Sequence, residues 1–275
     1  MTILMNTLYI VATPIGNLED ISLRALRVLK EVRLIAAEDT RKTSRLLNHY
    51  QITTPMTSYY EHNKLVKLNR MLEYLEQGDM ALVSEAGMPG ISDPGYELVA
   101  AAVGQGIPVV PVPGASAVTT ALAVSGLPTD RFTFLGFLPN KSSARRRVLE
   151  TAAAEKGTLI ILEAPHRVQD SLQDILDVLG DRRIAACREL TKMHEEIFRG
   201  NVSEAIKHFA APIGEFTLVV EGNKAESPKE LTTEISQKLH ELRASGVSAK
   251  EAIAAVSAET GLTKRELYKA WLEQP

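Results

Sequence analysis

An open α/β architecture is what this 275-residue sequence predicts, and three observations predict it. Short apolar runs alternate with helix-periodic runs along much of the chain. Several of those runs lead into loops marked by glycine, proline or charged turn residues: TPIGN (Thr13 to Asn17), EDTR (Glu38 to Arg41), SEAGMPGISDPG (Ser84 to Gly95), PGASA (Pro113 to Ala117) and EAPHR (Glu163 to Arg167). Hydrophobic residues make up 45% and charged residues 24%, an ordinary globular composition. Loops at the carboxyl ends of parallel strands gather on one sheet edge, where ligands bind, so the pattern predicts a cleft built mainly from backbone.

In order, Leu8 to Ala12 reads as a first strand, followed by TPIGN and a helix with Ser22 as N-cap and Leu23, Leu26 and Leu29 at helical spacing. Leu34 to Ala37 leads into EDTR, and Asn63 to Leu75 is helix-periodic until Gly78-Asp79 stops it. Met80 to Val83 and Val109 to Val112 are short continuous apolar runs, the kind of strand covered on both faces. Gly126 to Arg131 has no periodicity and reads as a linker. Beyond it, Phe132 to Leu135, Thr158 to Leu162, Ile184 to Cys187 and Phe216 to Val220 predict a second, mixed α/β unit. The expected domains are 1–127, 128–224 and a helical segment over 228–275.

That last segment repeats a hydroxyl-x-x-Glu spacing at Ser227 to Glu230, Ser248 to Glu251 and Thr263 to Glu266, which marks helix starts. Pro228 takes a favoured first-turn position and Gly261 a turn. The expected apolar faces are Leu231, Ile235, Leu239 and Leu242, then Ala252, Ile253 and Val256, then Leu267, Tyr268 and Trp271. A helix-turn-helix-like arrangement follows. From Pro228 to Pro275 seven lysines and arginines meet seven glutamates, so nucleic-acid contact and a simple packing module both stay open.

Composition also excludes. With a net charge of -3, nucleic-acid affinity must come from a local patch. Cys187 is the single cysteine, which rules out an internal disulfide framework and fits a reducing cytoplasm. No stretch reads as a signal peptide or membrane span. The six histidines show no i, i+4 pair, so no metal site is expected. Neither a Walker loop, a G-x-G-x-x-G nor a G-x-S-x-G elbow occurs. In SEAGMPGISDPG, Gly87, Gly90 and Gly95 permit positive φ and close backbone approach while Pro89 and Pro94 stiffen the path. A pair of tight turns without a ligand is the alternative. His166 sits in a post-strand loop, either facing a ligand or starting a helix.

LYIVATPIGNLEDISLRALRVLK, IAAEDTRKTSRLL, ALVSEAGMPGISDPGYELV, VVPVPGASAVTTALAVSGLPTDRFTFLGFLPNK, EAPHRV, CRELTK and GEFTLVVEG together resemble the ribosomal RNA small-subunit methyltransferase I family of the tetrapyrrole-methylase superfamily. The likeness runs from about Leu8 to Gly222 and includes the C-terminal helices. It implies an S-adenosylmethionine-dependent enzyme that methylates the ribose 2′-hydroxyl of a cytidine in the decoding region of small-subunit (16S) ribosomal RNA. Two α/β domains would clasp the cofactor between them, usually in a homodimer, with the RNA or the assembled small subunit as partner. Carried over by position, the cofactor should touch Ala86, Gly87, Met88, Ile91, Ser116, Ala117, Glu163, Leu190 and Thr217, mostly through backbone. Where the family most often reads Ser-Asp-Ala-Gly-Thr-Pro, this chain has Ser84-Glu85-Ala86-Gly87-Met88-Pro89, which leaves a side-chain role at Glu85 open. TPIGN as the first loop argues against a tetrapyrrole substrate.

A ribose hydroxyl is a weak acid, so a proton acceptor or a cation facing the alkoxide would help its methylation. Glu38, Asp39 and Arg41 place both kinds of group in one post-strand loop. Asp39 is expected as base or ribose anchor and Arg41 as phosphate or alkoxide partner; an ion pair that caps the next helix is the alternative. Arg131, Lys141, Arg145, Arg146 and Arg147 face only Glu150 between positions 131 and 150, an RNA-binding candidate that Arg167, Arg188 and Lys192 could extend. A solvated helix face is the competing reading. Rival functions are a superfamily methyltransferase acting on a tetrapyrrole or protein side chain, and a non-catalytic RNA-binding ribosome-assembly factor.

Overall fold

A computed structural model describes residues 6–60, 64–224, 233–260, 262 and 264–272. The first sheet contains β1 (Leu8–Val11), β2 (Leu34–Ala37), β3 (Met56–Ser58), β4 (Met80–Val83) and β5 (Val109–Val112), in the order β3-β2-β4-β1-β5. Every pairing in it is parallel. Both faces are covered, and successive residues of a strand go to opposite cores. Ala81 and Val83 of β4 join Ala25, Val28 and Leu29 of α1 (Leu23–Glu31) and Leu47 of α2 (Thr40–His49). Met80 and Leu82 join Met71, Leu72 and Leu75 of α3 (Lys64–Leu75) and Leu98 of α4 (Tyr96–Gly104). Ser22 caps α1 as expected, accepting from the Ala25 N–H at 3.1 Å.

All loops at the carboxyl ends of these strands lie on one edge. The TPIGN loop and the loop after β4 are tied there by a two-bond bridge: Thr13 and Gly87 each donate a backbone N–H to the other's carbonyl at 2.9 Å.

The second sheet takes β6 (Phe132–Phe137), β7 (Thr158–Glu163), β8 (Arg183–Arg188), β9 (Glu196–Asn201) and β10 (Phe216–Val220) in the order β6-β7-β10-β8-β9. Only β6 and β7 are parallel within it. On one face, α6 (Ser142–Ala152), α7 (Val168–Leu179) and α8 (Val202–His208) pack through Leu149, Leu172, Ile175 and Ala205. The other face receives α5 (Ala117–Ser125), whose Ala121 and Leu122 meet Ile160, Ala185 and Val219. A helix that follows β5 thus shields the second sheet, and the residues through Gly222 form one compact unit.

The residues from Asn223 form another. In it α9 (Thr233–Ala244), α10 (Ala249–Thr260) and α11 (Lys264–Leu272) enclose a core of Leu239, Ala252, Ile253, Val256, Leu267 and Trp271. Ser248 precedes α10 and its Oγ donates to Glu251 Oε2 at 2.7 Å. The motif from Ser227 to Glu230, with Leu231, Gly261 and Thr263, lies outside the described residues. Tyr268, expected on the apolar face, is 51% exposed instead.

Candidate functional site

A cavity of about 490 Å³ opens between the carboxyl edge of the first sheet and the inner ends of β7, β8 and β10. All nine residues expected around a cofactor line it: Ala86, Gly87, Met88 and Ile91 from the loop after β4, Ser116 and Ala117 at the start of α5, and Glu163, Leu190 and Thr217 from the second sheet's side. His166 lines it too. The local conformations explain why this sequence is needed. Gly87 and Gly90 have φ of 81° and 80°, the left-handed region where a Cβ is strained. At Gly87 a Cβ would meet nothing closer than 3.5 Å, so conformation, rather than crowding, demands glycine there. Ser92, Glu189 and Thr191, non-glycine residues in loops around the cavity, also hold positive φ, of 63°, 51° and 66°, a strain that the surrounding packing must sustain.

At the start of α5, Ser116 makes no side-chain cap bond. The first-turn N–H groups of that helix, which have no intrahelical acceptor, therefore stand at the wall that Ser116, Ala117 and Val118 form. Such a terminus favours an anionic group.

The side-chain electrostatics are acidic. Glu85, Asp93, Glu163 and Glu215 all reach the lining, against Lys192. Burial pushes the Asp93 carboxyl up to about 6, with the Glu38 charge adding to the rise and a Ser84 hydrogen bond opposing it. Burial also raises Glu38, whose Oε2 accepts from the Glu85 N–H at 3.1 Å. Glu85 is paired with Lys42. Lys192 Nζ donates to Glu189 at 2.8 Å and Glu215 at 2.9 Å. Glu163 is 1% exposed and is held by the Arg167 guanidinium, by Ser171 and by its own neighbour's N–H, so its side chain is committed to the fold. Cys187 lines the wall as a neutral group, its thiol pushed up to about 11 by burial.

The remaining expectations fare differently. Asp39 is the N-cap of α2, accepting from the Arg41 N–H at 2.8 Å and the Lys42 N–H at 3.4 Å. Arg41 also donates to it from Nε at 3.3 Å and Nη2 at 3.1 Å. These bonds hold the Asp39 carboxyl down at about 2, far too weak a base to take a hydroxyl proton near neutrality. Neither Asp39 nor Arg41 lines the cavity. In the basic run Arg145 requires correction. It is 4% exposed, with Nε 2.7 Å and Nη2 2.6 Å from Asp174 of α7, and cannot reach a phosphate. Arg146 bonds Asp177 at 2.9 Å and lies 3.4 Å from Asp174. Arg167 is tied to Glu163 and the Leu138 carbonyl. Of the basic run, Arg131, Lys141 and Arg147 stay exposed without an ion pair among the described residues.

Sequence reasoning missed Asp93, Ser92, Phe137 and Phe216 in the wall. Asp93 carried a signal: with Glu85 it is one of two acids in a loop rich in glycine and proline.

Two α/β layers with a loop-built cavity on their shared edge define a class, and residues 7–206 match the family described as Tetrapyrrole (Corrin/Porphyrin) Methylases. A uroporphyrin-III-C-methyltransferase from Thermus thermophilus superposes with a TM-score of 0.57 at 19% identity, over 78% of this chain and 94% of that one. The chain is 50% identical over 276 residues to a Ribosomal RNA small subunit methyltransferase I of Halalkalibacterium halodurans, covering 98% of this chain and 95% of the relative. A Thermotoga maritima protein of the same name is 50% identical over 223 residues, all of that protein but 80% of this chain. The chain belongs to the tetrapyrrole methylase family and, within it, to the ribosomal RNA small subunit methyltransferase I family.

Proposed function

We propose that this protein transfers a methyl group from S-adenosylmethionine to the ribose 2′-hydroxyl of a cytidine in the decoding region of small-subunit ribosomal RNA. One observation carries the reading: in a chain of this family, every residue expected at the cofactor falls on the same cavity. That cavity fits the group on three counts. Its volume suits a nucleoside-sized ligand. Its surplus of carboxylates complements a sulfonium and an ammonium, while the uncapped start of α5 complements a carboxylate. The glycine turns of the loop after β4 bring the small residues Ala86 and Gly87 to the cavity wall, which leaves room there for a purine and ribose.

When bound, the cofactor supplies a methyl already activated on a sulfonium, so the chain's main task is alignment. Asp93 and its acidic neighbours hold the positive end. The acceptor side falls to Arg41, whose side chain is 89% exposed beside the cavity loops and is steered by Asp39; it would meet a phosphate, with Asp39 as its anchor and not as the base. Lys141 and Arg147 remain the RNA contacts of the second sheet's helices. No helix among the described residues is long and apolar enough to cross a membrane. We read the protein as a cytoplasmic homodimer, a reading supported by the exposed Leu65 and Val66 of α3 and Tyr96 and Val103 of α4, helices that pack side by side.

The test is methyl transfer from labelled S-adenosylmethionine to purified small subunits and to protein-free small-subunit RNA, with the product mapped by nuclease digestion. A 2′-O-methylcytidine is expected. Label on a base, on protein or nowhere would overturn the assignment, and the last outcome with intact cofactor binding would favour an assembly factor.

A further inference from the structure

The outward chemistry of the C-terminal unit is unevenly spread, although its lysines and arginines equal its glutamates in number. α11 turns Leu267, Ala270 and Trp271 into the core of that unit. Lys264, Arg265, Tyr268, Lys269 and Leu272 are exposed. At about 100° per residue these five positions fall within one arc of roughly 140°, a single continuous face. Tyr268 sits between the cations on that face. Lys264 and Arg265 make no ion pair among the described residues. Among the side chains described, the exposed acids Glu241 and Glu251 belong to α9 and α10, where the exposed cations Lys238, Arg243 and Lys250 accompany them.

The seating of α11 does not depend on that outer face. Arg243 of α9 donates to the Trp271 carbonyl at 3.2 Å and stacks its guanidinium 5.7 Å from the indole centroid. The unit is also an addition to the catalytic body. The Thermotoga maritima relative leaves a fifth of this chain unmatched, a share equal to that of the residues from Asn223 onward. A protein of this family is thus matched over its whole length by about four-fifths of this chain, and what the C-terminal helices add is sought on their surface.

We propose that α11 is an RNA-docking helix. Its outer face grips the phosphodiester backbone of small-subunit ribosomal RNA through Lys264 and Arg265 and stacks Tyr268 on an unpaired base. Cations flanking an exposed aromatic ring suit a chain of phosphates carrying π-faced bases. Tethered to the catalytic unit, such a helix raises the local concentration of substrate without entering the chemistry. The inference rests on the reading of the protein as a ribosomal RNA methyltransferase.

The experiment uses the full chain, wild type against K264A/R265A and Y268A. Filter binding to protein-free small-subunit RNA is measured across a salt series, alongside methyl-transfer kinetics and calorimetry with S-adenosylmethionine. The double variant is expected to lose about two from the slope of log affinity against log salt, one for each phosphate contact. Y268A is expected to weaken RNA binding roughly tenfold, as loss of one stacked base would. KM for RNA should rise in both, with kcat and cofactor affinity unchanged. Unaltered slope and RNA affinity in both variants would overturn the proposal even if methyl transfer is normal. If wild type binds RNA through this face but transfers no methyl to it, the docking inference stands and the functional reading falls.

Discussion

Asp93 is held at a cost to the ligand-free fold. Its carboxyl is raised from 3.8 to about 6 by burial and by neighbouring acids, so the folded state disfavours the charged form. A group whose folded pKa is raised in this way destabilises the fold above that pKa, and the penalty fades as pH falls through about 6 toward 3.8. At neutral pH, Asp93→Asn is therefore expected to raise the melting temperature of the ligand-free protein and to flatten its pH dependence across that window. The same change should weaken S-adenosylmethionine roughly tenfold or more, because the positive cofactor loses a counter-charge. The uncharged thioether product should lose less. In the wild type, cofactor affinity should drop as pH falls below about 6. A variant that neither stabilises the free protein nor discriminates cofactor from product would remove Asp93 from this role. Asp39 makes the opposite case, with a carboxyl near 2 inside its own cap and ion pair. Since asparagine caps helices well, Asp39→Asn should fold normally and keep kcat within about threefold across pH. Arg41→Ala should raise KM for RNA by about tenfold, the scale of one lost charged contact, with kcat little changed. A collapse of kcat in either variant, read from steady-state kinetics, would return the proton to this loop.

At the scale of elements, what the sequence disclosed and what it hid have physical reasons. The strands covered on both faces were legible because burial makes them uninterrupted apolar runs. β3 and β9 were not, although the edge strands β5 and β6 were, because Met56-Thr57-Ser58 is short and half-buried and Glu196 to Asn201 mixes charge with glycine. The cavity's backbone was legible in its glycines and prolines, whereas the fate of the basic run was not. Arg145 finds Asp174 across 29 residues of sequence, and no local pattern reports a partner so distant. That pair, with Ser142 donating to Asp174 at 3.0 and 3.1 Å, fastens α6 to α7. Asp174→Ala should leave the buried guanidinium unpaired and destabilise the protein by about 3–5 kcal/mol. Arg147→Ala, on the exposed side of the same helix, should stay within about 0.5 kcal/mol. Chemical denaturation of the two variants compares them directly, and similar losses would show that the pair does not fasten the helices.

For the whole molecule, the decisive feature is that the two sheets meet through loops. Gly16 of TPIGN lies against the loop between β8 and β9 so closely that a Cβ there would fall 2.5 Å from Lys192 Cγ, 2.8 Å from Thr191 Oγ1 and 2.9 Å from the Leu190 carbonyl oxygen. A lysine stem can swing aside, but a carbonyl oxygen moves only with its backbone. The same TPIGN segment is bonded through Thr13 to Gly87 in the loop after β4. Leu190, Gly16, Thr13 and Gly87 thus form a continuous physical path from the second sheet to the first sheet's principal glycine turn, with the cavity beside it. Gly16→Ala should push that path apart while changing the identity of no cavity-lining residue. The expected result is a roughly tenfold weaker affinity for S-adenosylmethionine, the effect of about 1.4 kcal/mol of misplacement, with unchanged far-ultraviolet circular dichroism. Calorimetry on Gly16→Ala checks it. Retained affinity would mean that the loop between β8 and β9 yields to the extra methyl, and that the cavity keeps its shape without this contact.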